Sequence, residues 1–287
     1  MRIGTKEFDF QGNHVYIMGI LNVTPDSFSD GGKFQATDQA LYHVEEMIVQ
    51  GADLIDIGGE STRPGYQKIS IEEEISRVTD VIRLVKERFD IPVSIDTYKA
   101  PVMDAALSAG ADLANDIWGL RYDRFFAPDG QNSVWDHGTL AQIVAKHKKP
   151  ICIMHNRPEA DYRNFLEEMK QDLWQSLEIA AEAGISRDQI ILDPGIGFGK
   201  TYENNLEVLA NLDCLKQFDL PLLLAASRKS VIGLTLDLPV DQREEGTIVT
   251  SVLASLHGWD MVRVHDVEKN VRAVRMMEKI KEYRDIH

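Results

Sequence analysis

The stretch Asp53-Leu54-Ile55-Asp56-Ile57 runs into Gly58-Gly59-Glu60-Ser61-Thr62-Arg63-Pro64-Gly65 and then into a helix-period segment over 71–89. It reads as a buried β-strand, a polar loop and an amphipathic helix, which together make one βα unit. The same sequence of events recurs on both sides. Strand candidates lie at 15–21, 53–57, 92–96, 112–116, 150–154, 189–193, 221–226 and 261–264. Helix candidates follow them at 37–50, 71–89, 100–109, 138–147, 162–184, 203–217, 244–257 and 267–284. Eight such units in 287 residues predict a (β/α)₈ TIM barrel rather than a doubly wound sheet, which has fewer strands and a glycine-rich first crossover. Residues 1–14 read as a short N-terminal hairpin, with Gly12-Asn13 at its turn, closing the bottom of the barrel. No linker or shift of composition divides the chain, so one domain over 1–287 is expected.

Composition narrows the function. With 44% hydrophobic and 27% charged residues, the chain has enough apolar material for a large core. No apolar run reaches the roughly 18 residues of a membrane span, and the start MRIGTKEFDF lacks the layout of a signal peptide, so a cytoplasmic protein is expected. A formal net charge of −15, with no basic block against it, disfavours nucleic acid and anionic membrane as partners. An anionic substrate would need a locally positive site. Cys152 and Cys214 form no C-x-x-C pair and read as core thiols.

In a barrel of this kind, chemistry sits at the C-terminal ends of the strands. Here every strand ends in polar residues: Asn22, Gly58-Gly59-Glu60, Asp96, Asn115-Asp116, Met154-His155-Asn156, Asp193, Ser227-Arg228-Lys229-Ser230 and Arg263-Val264-His265-Asp266. Any one of them could be an N-cap or a turn former, but eight at one rim argue for a site. They divide into an amide and carboxylate set (Asp96, Asn115, Asp193) with one lysine, suited to a flat heterocycle, and a cationic set (Arg63, Arg263, His265), suited to phosphate or carboxylate. Gly195-Ile196-Gly197-Phe198-Gly199-Lys200-Thr201 is not a nucleotide loop, because G-x-x-x-x-G-K-[ST] needs glycine where Pro194 stands. His43, His147 and His257 lie in helical stretches without metal-ligand spacing and read as structural or surface residues.

These motifs, in this order, resemble the bacterial-type dihydropteroate synthases over nearly the whole chain. Gly19-Ile20-Leu21-Asn22-Val23-Thr24-Pro25-Asp26-Ser27-Phe28-Ser29-Asp30-Gly31-Gly32 resembles the family's first mobile loop, and Asp56 to Gly65 its second. Ser94-Ile95-Asp96-Thr97, Asn115-Asp116-Ile117, Asp193 to Gly199, Ser227 to Ser230 and Arg263 to Val267 extend the match. The resemblance implies a transferase of folate biosynthesis that joins 6-hydroxymethyl-7,8-dihydropterin diphosphate to p-aminobenzoate, giving 7,8-dihydropteroate and pyrophosphate. It implies pterin binding by Asp96, Asn115, Met154, Asp193 and Lys229, and diphosphate binding by Asn22, Arg63, Arg263 and His265. Asn22 would also reach Mg²⁺. p-Aminobenzoate, which sulfonamides mimic, would sit against Phe28, Thr62, Pro64, Phe198, Lys229 and Ser230. Asp96, Lys229, Arg263 and His265 would carry the catalysis, by a dissociative route in which the two loops exclude water. A homodimer is the family-level expectation, and we expect the helices at 244–257 and 267–284 to form its interface.

The alternatives are a methyltetrahydrofolate-binding methyltransferase barrel, which needs no diphosphate site, and a catalytically silent pterin-binding paralogue. The segment 118–138 is longer than the family's usual loop, and its aromatics are expected either to pack on the rim or to meet a partner subunit.

Overall fold

A computed structural model of the chain describes residues 1–23, 33–60, 68–127, 131, 133–135 and 138–286. Its centre is an eight-stranded parallel sheet of β3 (Tyr16–Asn22), β4 (Leu54–Gly58), β5 (Val93–Asp96), β6 (Leu113–Asp116), β7 (Ile151–Met154), β8 (Ile190–Asp193), β9 (Leu223–Leu224) and β10 (Met261–Val264). The order β8-β7-β6-β5-β4-β3-β10-β9 runs around a cylinder, and a bridge between Leu192 and Leu222 joins its two ends. The molecule is therefore the (β/α)₈ barrel that the eight sequence units predict.

Around it stand α1 (Lys33–Val49), α2 (Ile71–Arg88), α3 (Ala100–Ser108), α4 (Tyr122–Phe126), α5 (Leu140–His147), α6 (Phe165–Ala183), α7 (Tyr202–Ala210), α8 (Ser230–Leu236), α9 (Glu244–Leu256) and α10 (Val267–Ile286). Local capping sets several of their starts. Ser70 Oγ accepts the Glu73 N–H at the head of α2, and Thr139 and Thr201 form capping boxes with Gln142 and Asn204.

Because side chains alternate along a strand, each strand serves two environments. One set, including Ile17, Leu21, Ile55, Ile57, Val93, Ile95, Ile151, Ile153 and Val262, packs under the helices in the main core. The other set faces the lumen. Its lower layer is apolar: Met18, Leu54, Leu113, Cys152, Ile191, Leu223 and Met261 pack together with Ile3 and Phe8 from the N-terminus. One step of the same alternation upward, the sequence turns polar at Asp56, Asn115, Asp193 and Arg263, and Asp96 follows Ser94 in β5.

Three local expectations are corrected. The N-terminal hairpin pairs β1 (Arg2–Ile3) with β2 (Lys6–Glu7), so its turn is at Gly4-Thr5, not Gly12-Asn13. Gly4 takes φ +60°, and a Cβ there would meet the Asp112 carboxylate at 2.8 Å. The helix expected over 203–217 stops at Ala210 and continues as a 3₁₀ turn, Leu212–Phe218, because Asn211 leaves helical geometry. Helices α4 and α8, of five and seven residues, were not anticipated; both are too short to show a 3.6-residue period.

Candidate active site

The polar layer of the lumen is a network of charges. The Arg263 Nε–H donates to Asp56 Oδ2 at 2.6 Å, and its Nη2 donates to Asp96 Oδ2 at 2.7 Å. Asn115 Nδ2 donates to the Asp56 carboxylate at 3.2 and 3.4 Å. Arg263, grouped from sequence with a separate cationic set, in fact ties together the carboxylates of β4 and β5. Burial works against its charge, but Asp56 and Asp96 outweigh that and raise its pKa.

Asp96 is 7% exposed, and its Oδ1 has no hydrogen-bond partner among the described residues. Burial pushes its carboxyl up to about 7, with Arg263 opposing the rise and Asp56 adding to it. Asp193, at the end of β8, accepts the Gly195 N–H through Oδ1 at 2.7 Å; burial raises its pKa, against Lys229 and that N–H.

Lys229 stands at the head of α8. Its ammonium donates to the Ile196 carbonyl at 2.5 Å and lies 4.2 Å from the centre of the Phe198 ring. Burial brings its pKa down to about 8, against the pull of Asp193. Arg228, just before it, holds φ +56°; its N–H donates to Thr247 Oγ1 and its carbonyl accepts from Arg243, both on the α9 side. His265 is braced by Ser227, whose Oγ lies 2.9 Å from Nδ1 and accepts the His265 N–H at 3.2 Å. Asn22 ends β3 opposite Gly58.

Met154 is buried with Tyr98 and Ile117, and Trp118, Tyr122, Trp135 and Phe198 pack against them. This settles the role of much of the long segment after β6: three of its aromatics pack on the barrel rim, while Phe125 and Phe126 are partly exposed. Asp116, in contrast, is a cap. It accepts the N–H groups of Trp118 and Leu120 at 2.9 and 2.6 Å, and burial lifts its pKa to about 6.

The structure thus gathers Asp96, Asn115, Met154, Asp193, Phe198, Lys229, Arg263 and His265 at one end of the barrel, with Ser230 opening α8. Phe28, Thr62, Arg63 and Pro64 lie outside the described residues. Sequence reasoning quoted Asp56 in a motif but gave it no role; its position two residues before Gly58, in step with Leu54, was the available signal. His147 and His257 face Asp104 and Asp213 at 2.5 and 3.2 Å, and His43 lies 3.6 Å from Glu46. Cys152 is buried in the lumen floor and Cys214 is half-buried, both as free thiols. A cavity of 480 Å³ between α4 and α6 is lined by Arg121, Arg124 and Arg157 among others, and by none of the sequence-derived site residues.

The family model for pterin binding enzymes matches residues 18–265. A dihydropteroate synthase of Clostridium beijerinckii is 54% identical over 98% of this chain and 99% of its own length. The chain belongs to the dihydropteroate synthases. A crystal structure of the dihydropteroate synthase of Clostridium difficile, obtained in the presence of pteroic acid, is similar at a TM-score of 0.85 with 48% identity, covering 93% of this chain and 96% of that one. The Yersinia pestis synthase in a sulfonamide drug complex matches at a TM-score of 0.86 and 38% identity over 99% of both chains. Membership makes this chain a transferase of folate biosynthesis that transfers a pterin to p-aminobenzoate, and it sets aside the methyltransferase and silent-paralogue readings.

Proposed function

We propose that the dihydropterin diphosphate lies in the lumen against Asp96, Asn115, Met154, Asp193 and Lys229. Its diphosphate would point to Asn22, Arg63, Arg263 and His265, and p-aminobenzoate would enter beside Phe28, Thr62, Pro64, Phe198, Lys229 and Ser230. The observation that carries this reading is Asp96 Oδ1, a buried carboxylate oxygen without a hydrogen-bond partner among the described residues, in a wall where Asp56 is paired to both Asn115 and Arg263. Leaving such an atom unsatisfied costs about 1–3 kcal/mol or more. A ring N–H of the pterin offers that oxygen the donor it lacks. Asp193 presents a second carboxylate to the amidine-like edge of the ring, where two N–H donors lie side by side.

In the proposed chemistry, the bond between the pterin methylene carbon and the diphosphate oxygen breaks first, and the electron pair leaves with the oxygen. The arylamine nitrogen then bonds to the methylene cation and loses a proton. Asp96 in its ionised form favours the positive charge on the ring. Arg263, with Nε and Nη2 held by Asp56 and Asp96, would turn its Nη1 edge to the departing anion, and His265 would supply a second donor from the neighbouring turn.

Mg²⁺ fits the residues present. A Cβ built on Gly58 would lie 3.8 Å from Asn22 Oδ1, so that oxygen borders the space left by the missing side chain, while Asp96 Oδ2 at 3.9 Å is already engaged by Arg263. One or two protein oxygens, completed by phosphate and water, is the donor set this ion takes. When bound, it would neutralise charge on the diphosphate. The reading extends to one pterin-binding domain over 1–287, a cytoplasmic location and a homodimer. No helix among the described residues is long and apolar enough to cross a membrane. Support for a dimer comes from exposed apolar side chains on α9 and α10, Val249 at 65%, Met276 at 62% and Tyr283 at 67%.

The order of bond breaking is tested by rapid mixing with pterin diphosphate and Mg²⁺, with and without p-aminobenzoate. Pyrophosphate is expected in both cases. Release that depends strictly on the arylamine, with a rate proportional to its concentration, would replace this route by direct displacement.

A further inference from the structure

Lys200 was left over when the nucleotide-loop reading of its motif failed, and the lumen chemistry does not use it. Its Nζ nonetheless lies 2.8 Å from His155 Nδ1, 3.0 Å from the Phe198 carbonyl and 3.5 Å from the His155 carbonyl. Burial pulls the Lys200 pKa well down against Asp193 and Asp172, and as amine or ammonium its Nζ keeps N–H donors for these acceptors. Asp172 can only accept, so the ring proton of His155 is assigned to Nε2, which donates to Asp172 Oδ2 at 3.0 Å and leaves Nδ1 to accept from Lys200. Asp172 is in turn held by Arg121 Nη1 at 2.9 Å and Arg157 Nε at 2.5 Å. His155 is 1% exposed and Asp172 6%, so the centre of this chain of charges is buried, while Arg157 at its outer end reaches the surface. Burial and the Lys200 charge together bring the His155 pKa down to about 3, in keeping with a neutral ring.

The network holds a loop. Residues 195–199 lie directly on the segment that follows β7: a Cβ on Gly195 would stand 2.0 Å from the His155 carbonyl oxygen, and one on Gly199 would stand 2.5 Å from that of Arg157. Tyr162 adds a hydrogen bond to the Gly199 carbonyl at 2.6 Å. The same loop supplies what Lys229 rests on, the Ile196 carbonyl and the Phe198 ring. Lys229 Cδ passes within 3.0 Å of where a Gly197 Cβ would be.

We propose that Lys200 is a positioning residue for Lys229: by donating to His155 and to the Phe198 carbonyl, it clamps the 195–199 loop in the place from which Ile196 and Phe198 aim the Lys229 ammonium at the pterin. Removing the ammonium leaves the Phe198 carbonyl and His155 Nδ1 without a donor. The loop then shifts by a fraction of an ångström to find others, and Lys229 moves with it. A misplacement of about 1 Å can cost roughly 10²-fold in rate, so a shift of a fraction of that, passed on through one residue, should show about tenfold.

The proposal rests on Lys229 contacting the pterin as described above, so Lys200→Met and Lys229→Met are measured side by side in the full chain with both substrates and Mg²⁺. For Lys200→Met the KM for pterin diphosphate should rise about tenfold, with the KM for p-aminobenzoate within about twofold of wild type, and Lys200→Arg should recover part of the loss. A thermal shift alone, with both KM values unchanged and only the active fraction reduced, makes Lys200 a brace for the fold and overturns the proposal. If Lys229→Met raises the pterin KM and Lys200→Met does not, the positioning role fails while the site reading stands. If neither variant moves it, both fail. Should Lys200→Met not accumulate as folded protein, Lys200→Leu, which also lacks any donor, decides by the same criteria.

Discussion

Two buried clusters in this barrel are built alike, each from two carboxylates around one cation, yet they differ in use. In the lumen, Asp56 and Asp96 share Arg263. Behind the strand ends, Glu60 and Glu74 share Lys99, at 2.8 and 2.7 Å. The Lys99 cluster is spent on the backbone and its neighbours. Glu60 accepts the Ile69 N–H at 2.9 Å and the Tyr98 hydroxyl at 3.2 Å, Lys99 donates to the Ile69 carbonyl at 3.0 Å, and Thr97 donates to Glu74 at 2.8 Å. It pins α2 and the chain at Ile69 to the end of β5. Among the described residues the Arg263 cluster has Asn115 as its one other side-chain hydrogen-bond partner, and Asp96 Oδ1 is left without one. Glu74 Oε2 also makes no hydrogen bond, but it ion-pairs with Lys99 at 2.7 Å; the same ingredients therefore make a joint in one place and a receptor in the other, according to which of their atoms the protein itself engages.

Removing the cation of the joint should have the largest effect on folding. Lys99→Met strands two buried carboxylates and is expected to cost about 3–5 kcal/mol of stability, read as a fall in denaturant midpoint, while kcat per folded molecule stays near wild type. A stable but inactive Lys99→Met would mean that the two clusters are not divided in this way.

Asp96→Asn should do the reverse. A missing charge next to the developing cation is expected to raise the barrier by about 2.7–4 kcal/mol, roughly 10²–10³ in kcat. Its effect on stability follows from the raised pKa. A carboxyl whose folded pKa lies above its unfolded value of 3.8 contributes stability below that value and loses it as pH rises toward about 7. At pH 8, Asp96→Asn should therefore melt no lower than wild type; a clear loss of melting temperature would place Asp96 with the joint rather than with the receptor.

Asp193→Asn tests the far wall of the lumen. Its Oδ1 already caps Gly195, so the amide must give up either that bond or one of the two pterin N–H groups. Pterin affinity should fall by about 2 kcal/mol, near the low end of a charge-assisted buried pair, as read by calorimetric titration. Native affinity would reduce Asp193 to a turn former.

The smallest expected effect is a change of shape in the pH profile. kcat/KM for the pterin diphosphate should climb through about pH 7 as Asp96 ionises and decline above about pH 8 as Lys229 loses its proton. In Asp96→Asn the acid limb should flatten and the alkaline limb remain. An acid limb that survives the substitution belongs to another group.

Much of this was legible along the chain because the signals are local. Strand runs of four to seven residues, each closed by a polar residue and followed by a helix-period segment, are short-range patterns, and the alternation within a strand already assigns Asp96, Asn115, Asp193 and Arg263 to one face. The pairing of those residues is not local. Arg263 meets Asp56 across 207 positions and Asp96 across 167, and no spacing rule announces such a contact. That is why Arg263 was grouped with free cations, and why Asp56 had no role at all. The hairpin turn was misplaced for a similar reason, since Gly12-Asn13 is the stronger local turn signal, but Gly4 is the residue whose missing Cβ makes room for Asp112, a contact that only the closed barrel creates.

What the sequence determined by itself was the architecture, the rim on which the chemistry sits and the family, because periodicity, strand-end residues and motif order depend on near neighbours. What only the tertiary structure decided was which of the buried charges are already satisfied. Asp56 and Asp96, Glu60 and Glu74, and the line from Asp172 through His155 to Lys200 acquire their different tasks when closure of the barrel sets the number of partners each one finds, and in a medium that excludes water that number fixes whether a charge holds the protein together or waits for a ligand.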